Sequence, residues 1–194
     1  DLESGIRRGD ARIEFNGDNS GFCGKFRIRN TYASDGFFTD VCASNACGFG
    51  GMGCRSGSFR ALALRAGGRL VATASLELDE PTRGVYVNGK GAIKVENAAD
   101  TFALGSQLTM DGELEKYGPG TLALKGALRY TKEQGTTPVA GKNVLTVREG
   151  SVRGMAKTAT DGLAVRFAGG TAIGIASPFE TITDEERNFG FYEV

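Results

Sequence analysis

Large apolar residues recur in pairs two positions apart along most of this chain. The pairs are Ile13/Phe15, Phe26/Ile28, Leu62/Leu64, Leu76/Leu78, Val85/Val87, Ile93/Val95, Phe102/Leu104, Leu108/Met110, Leu122/Leu124, Leu145/Val147, Val165/Phe167 and Ile173/Ile175. The residues between them are mostly polar or small. A strand sends alternate side chains to opposite faces, so each pair predicts a short strand with a two-residue apolar stripe. No segment sustains apolar positions at i, i+3, i+4 and i+7, so long helices are not expected.

A stripe two residues wide cannot hold a sheet alone and must be covered by copies of itself. The spacing supplies such copies. From Phe102 to Leu122 is 20 residues, from Leu122 to Leu145 is 23, from Leu145 to Val165 is 20, and from Val85 to Phe102 is 17. A soft repeat of that length predicts stacked coils in which each strand pairs in parallel with its equivalents above and below. Glycines fall between the strands, among them Gly89, Gly91, Gly105, Gly112, Gly118 and Gly120, where corners need tight backbone. A β-sandwich uses the same alternation. The dipeptides Asn16-Gly17, Asn88-Gly89, Asp111-Gly112 and Asp161-Gly162 would serve it as hairpin turns.

The stretch Gly112-Glu-Leu-Glu-Lys-Tyr-Gly-Pro-Gly-Thr-Leu-Ala-Leu-Lys-Gly126 resembles the autotransporter-associated β-strand repeat. The matching positions are Leu114, Lys116, Gly118, Gly120, Thr121, Leu122, Leu124 and Gly126. Residues 15–28, 145–150 and 161–170 are similar to coils found beside that repeat. The resemblance covers roughly 11–30 and 84–177. It implies an all-β fold: a right-handed single-stranded parallel β-helix, or β-solenoid, in the exposed passenger region of a larger exported bacterial protein.

Three places depart from the family pattern. After Gly126 the usual Tyr-x-Gly coil is replaced by Tyr130-Thr-Lys-Glu-Gln-Gly135. Residues 31–58, with Phe37-Phe38, three cysteines and Gly48-Phe-Gly-Gly-Met-Gly53, read as an inserted loop. Residues 178–194 lose the alternation and read as a cap or a linker to a following region. The expected organisation is a β-helix over 1–177, with the insertion inside it, then that C-terminal segment.

Composition narrows the chemistry. Thirty glycines in 194 residues are about twice the ordinary share of roughly 7% and suit many turns. The 23 Lys and Arg balance 23 Asp and Glu without a basic run, so no nucleic-acid partner is expected. There are no histidines, which removes Ser-His-Asp and Cys-His catalysis and His-containing zinc sites. No apolar run approaches the ~20 residues of a membrane helix, so membrane insertion of this segment is not expected. The chain starts at Asp1 without a leader and reads as a piece of something larger, with any export signal outside it.

Four cysteines, Cys23, Cys42, Cys47 and Cys54, leave three readings open. Disulfides suit an exported protein with a loop to close. Reduced, partly buried thiols are the second. A zinc site is the third, although short C-x2-C pairs are missing. Arg8-Gly9-Asp10 is an integrin-type tripeptide, a combination common by chance, adjoining the strand at Ala11–Phe15. Gly89-Lys-Gly91 and Gly118-Pro-Gly120 follow no strand-to-helix phosphate-loop pattern and read as corners. Glu96, Glu113, Glu115 and Glu149 point outward by alternation, with no acid pair at coil spacing. They read as a solvated face, and neither catalytic residue, metal nor cofactor is assigned.

The expected role is structural: a stalk-like segment of an exported or surface-displayed protein, whose partners are the flanking coils of the same larger chain. The alternative is an adhesin-like module contacting surface glycans or host proteins. It should show an aromatic patch, for example Phe37, Phe38, Phe49 and Phe59 on one side. A polysaccharide-active enzyme is a third class, which needs three or more carboxylates converging in a groove.

Overall fold

The computed structural model describes residues 2–4, 8–15, 17–19, 26–45, 62–78, 84–105, 108–125, 128–130, 143–154 and 163–167. Of Leu2–Ser4, Leu128–Tyr130, Asn143 and Leu163–Phe167 it describes the backbone alone. The strands are β1 (Leu2–Ser4), β2 (Ala11–Phe15), β3 (Phe26–Asn30), β4 (Thr39–Ala43), β5 (Leu62–Leu64), β6 (Gly68–Ala72), β7 (Leu76–Leu78), β8 (Val85–Val95), β9 (Thr101–Leu104), β10 (Leu108–Tyr117), β11 (Thr121–Leu124), β12 (Leu128–Tyr130), β13 (Asn143–Val147), β14 (Ser151–Gly154) and β15 (Leu163–Phe167). Apart from one 3-10 turn at Ala33–Asp35, the described residues contain no helix.

Every strand pairing among the described residues is parallel. The chain winds as a β-solenoid with three faces. The first face stacks β1, β3, β5, the first half of β8, the first half of β10, and β12. The second stacks β2, β4, β6, the later halves of β8 and β10, then β13 and β15. The third stacks β7, β9, β11 and β14. Four successive turns, beginning at β5, β8, β10 and β12, supply a strand to all three faces.

Registration turns the apolar pairs into columns. Leu76, Phe102, Leu122 and Val152 are successive partners on the third face, and Leu78, Leu104 and Leu124 run beside them. Leu62, Val85 and Leu108 form a column of the first face, with Leu64, Val87 and Met110 beside it. All of these side chains are buried and belong to one core. Burying each contributes about 1.5–3 kcal/mol. The apolar pairs of the described residues all lie in strands. Ile173 and Ile175 lie outside the described residues.

The spacing was only half right about which residues stack. Phe102 does lie on Leu122, and Leu145 on Val165. Leu122 and Leu145 do not pair: Leu122 meets Val152 on the third face, and Leu145 meets Leu114 on the second. Val85 meets Leu108, 23 residues on, and not Phe102. Strands of different faces carry the same alternation, so a count between apolar pairs does not label the face.

The dipeptides Asn88-Gly89 and Asp111-Gly112 are corners between faces, not hairpin turns. They sit inside β8 and β10 and stack on each other in register. Gly112 has φ +142°, and a Cβ there would collide with the carbonyl of Gly89 beneath it. At Gly112 the stacking therefore leaves no room for a side chain.

The expected insertion over 31–58 is corrected at its start. Residues 39–43 form β4, all five buried, paired with β2 on one side and β6 on the other. Beside the paired phenylalanines, Thr-Asp-Val-Cys-Ala keeps a strand's alternation. Residues 46–58 and the C-terminal segment 178–194 lie outside the described residues.

Candidate functional site

The repeat-like stretch builds a corner with a lysine inside it. Successive partners along the second face are Ile13, Val41, Leu70, Ile93, Lys116, Val147 and Phe167. Lys116 thus takes an inward position in an apolar column and is 0% exposed. Its four-carbon stem packs as an aliphatic side chain would, while its ammonium reaches the corner. There Nζ donates to the carbonyl oxygens of Tyr117 at 2.8 Å, Gly118 at 2.6 Å and Glu149 at 3.0 Å. Burial draws the ammonium down to about 8, and the nearby Glu149 carboxylate opposes that shift.

The other motif residues serve the same corner and the strand after it. Gly118 has φ +77°, and a Cβ on it would strike the carbonyl of Val95. Gly120 is crowded by the carbonyls of Asn97 and Asp100. Thr121 meets Ser151 of the next rung, hydroxyl to hydroxyl, at 2.8 Å. Leu114, Leu122 and Leu124 are core. Gly126 lies outside the described residues.

Outward from this strand, the structure brings together groups that the sequence had scattered. Glu115 points away from the core yet its side chain is only 1% exposed. Its Oε1 accepts from Arg148 Nη2 at 2.6 Å and Nε at 3.0 Å, and pairs with Lys90 Nζ at 3.1 Å. Its Oε2 accepts from the Tyr117 hydroxyl at 3.0 Å. Burial alone would raise the Glu115 carboxyl. The bonds from Arg148, Lys90 and Tyr117 outweigh it and hold the group below its usual range. Burial and the Glu115 carboxylate push the Tyr117 phenol up to about 12.

Phe38 and Tyr117 meet edge to face at 5.5 Å between ring centroids. The Arg69 guanidinium lies 4.2 Å over the Phe38 ring and is gripped bidentately by Asp40 at 2.7 and 2.9 Å. Asp10 Oδ1 accepts from the Phe38 backbone N–H at 2.7 Å, and Asn30 Oδ1 from that of Tyr32 at 2.8 Å. These bonds fix the turn 31–38 against the second face. Arg8 pairs with Asp35 at 3.0 Å, so the charged ends of the Arg8-Gly9-Asp10 tripeptide both engage that turn.

Between the turn and the face lies a pocket of about 440 Å³. Its lining includes the aromatic rings of Phe37, Phe38 and Tyr117, the polar groups of Lys90, Glu115 and Ser34, and Ala66-Gly67. Phe37 and Phe38, two of the four aromatics expected in a patch, therefore share one site; Phe49 and Phe59 lie outside the described residues. Sequence reading assigned Glu115 to a solvated face and gave Tyr117 no role. Alternation showed that Glu115 points outward, but not that Lys90, 25 positions earlier, and Arg148, 33 positions later, reach it diagonally from the two adjoining rungs.

Cys42 is a free thiol, 1% exposed, in register with Glu14 and Val71. Burial pushes it up to about 11. Cys23, Cys47 and Cys54 lie outside the described residues. Glu96 binds Arg12 at 2.8 and 3.3 Å, and Glu113 accepts from the Thr146 hydroxyl at 2.9 Å. No group of three or more His, Cys, Asp or Glu side chains placed to hold a metal ion occurs among the described residues.

No family model, no curated protein and no solved structure matches this chain.

Proposed function

We propose that this chain is a structural segment of an exported, surface-displayed protein, a stalk that spaces other parts from the cell. The observation that carries this reading is the unbroken inward columns of three faces, tied rung to rung by parallel ladders. Each added turn lengthens such a body by about 4.8 Å without altering its cross-section. The seven rungs that the described residues place on the second face span roughly 29 Å from first to last. Outside, the charges form cross-rung pairs: Arg69–Asp40 joins neighbouring coils, and Lys125–Glu77 and Arg12–Glu96 reach across two and three rungs. A rigid rod whose ends continue into further coils of a larger chain needs these features and no catalytic group.

Protease treatment of intact cells expressing the natural full-length protein tests this reading. Loss of an epitope in this segment, with cytosolic markers preserved, is the expected result. Full protection of the segment until the cells are lysed would overturn it.

A further inference from the structure

We propose that the pocket between the turn 31–38 and the second face binds one ring of a neutral saccharide. Its volume of about 440 Å³ falls in the ordinary range for a small-ligand site, about 300–1,000 Å³. Its lining joins two chemistries. Phe37, Phe38 and Tyr117 present aromatic carbon, which suits the C–H face of a pyranose. Lys90, Ser34, Glu115 and the Tyr117 hydroxyl present donors and acceptors together. Sugar hydroxyls both donate and accept, so they can use both kinds. The Tyr117 hydroxyl donates to Glu115 Oε2, so it faces a ligand as an acceptor. Lys90 is half exposed and has two further N–H bonds beyond the one facing Glu115.

The charges around the pocket favour a neutral ligand. Arg69, Lys90 and Arg148 are matched by Asp40, Glu113 and Glu115, and the Arg69–Asp40 and Lys90–Glu115–Arg148 groups are already paired. The site is also held in shape before any ligand arrives. Asp10, Asn30 and the Arg69–Phe38 stack fix the turn, so little ordering is required on binding.

Titration calorimetry on the whole chain tests the proposal. The probes are tetrasaccharides of glucose, mannose and galactose, with galacturonate and mannuronate tetrasaccharides as charged counterparts. At least one neutral probe is expected to bind with a Kd of about 1 mM or tighter. Ser34→Trp fills the pocket from an exposed position and removes no core contact. It is expected to weaken binding at least about tenfold, with the melting midpoint retained. Phe37→Ala is expected to weaken it as well; should that variant melt early, Ser34→Trp still decides. Absence of binding by every neutral probe at about 10 mM, tighter binding of the uronates, or unchanged affinity in Ser34→Trp would each overturn the proposal.

Discussion

Lys116 stands directly between Ile93 and Val147 in an inward apolar column, and its ammonium closes the corner by holding three backbone carbonyls. Lys116→Met keeps the stem and removes the donor. It is expected to destabilise the fold by about 1–3 kcal/mol at neutral pH, because buried carbonyls lose their partner. Chemical denaturation of the two proteins measures this.

The same lysine gives an alkaline signature. Its native value is about 8, against an ordinary 10.5 in the unfolded chain. Between those values the unfolded chain holds a proton that the native chain has released, so this group makes stability rise with pH. Cys42, raised to about 11 from 9.0, and Tyr117, raised to about 12 from 10.0, act the other way above pH 9 and 10. The difference between wild type and Lys116→Met isolates the lysine. It should shift toward the wild type between pH 8 and 10.5, by at most about 3 kcal/mol. A flat difference would mean that the native ammonium keeps its ordinary value.

Gly89 and Gly112 stack on each other but are not equivalent. A Cβ on Gly89 meets nothing within 4 Å, whereas one on Gly112 runs into the Gly89 backbone. Gly89→Ala should cost about 1–2 kcal/mol for its positive φ alone. Gly112→Ala should cost more than about 3 kcal/mol, since backbone of the neighbouring coil would have to move. Thermal denaturation of the two single variants ranks them.

Glu115 is buried while its partners Arg148 and Lys90 are about half exposed. Arg148→Gln should therefore cost about 1–3 kcal/mol, because it takes two hydrogen bonds from a buried carboxylate, and Glu115→Gln should cost less, because the half-exposed cations it leaves alone are rehydrated. Acid should act through the same carboxylate. Its native value is lowered from 4.5, so its contribution is complete above pH 4.5 and falls away as pH drops through the native value. Glu96, held down first by its bonds from Arg12, adds in the same direction. Urea midpoints between pH 6 and pH 3 should fall less steeply in Glu115→Gln.

Leu122 lies between Phe102 and Val152 with no exposed surface. Leu122→Ala should cost about 2–5 kcal/mol, the range for an internal cavity. A loss below 1 kcal/mol in denaturant titration would mean that the third face is not packed as described.

The strands were legible in the sequence because alternation is local: Leu122 and Leu124 announce their strand without help from any other residue. The stacking was less legible. Leu122 and Leu145 differ by a spacing close to one coil, yet they lie on different faces, because β12 and a long connection intervene. Lys116 could have been found, since it shares parity with Leu114 and so must point inward. Its charge argued the other way, and only the corner carbonyls resolve that conflict. The pocket could not be read at all. Phe37, Gly67, Lys90 and Tyr117 share no local pattern, and registration across the coils alone brings them together.

Interstrand nuclear Overhauser contacts in the labelled protein test the winding most directly. Parallel coils predict Phe102 beside Leu122 and Leu104 beside Leu124, with Val85 beside Leu108 and Val87 beside Met110. Contacts crossed in the opposite sense, Phe102 with Leu124 and Leu104 with Leu122, would contradict it.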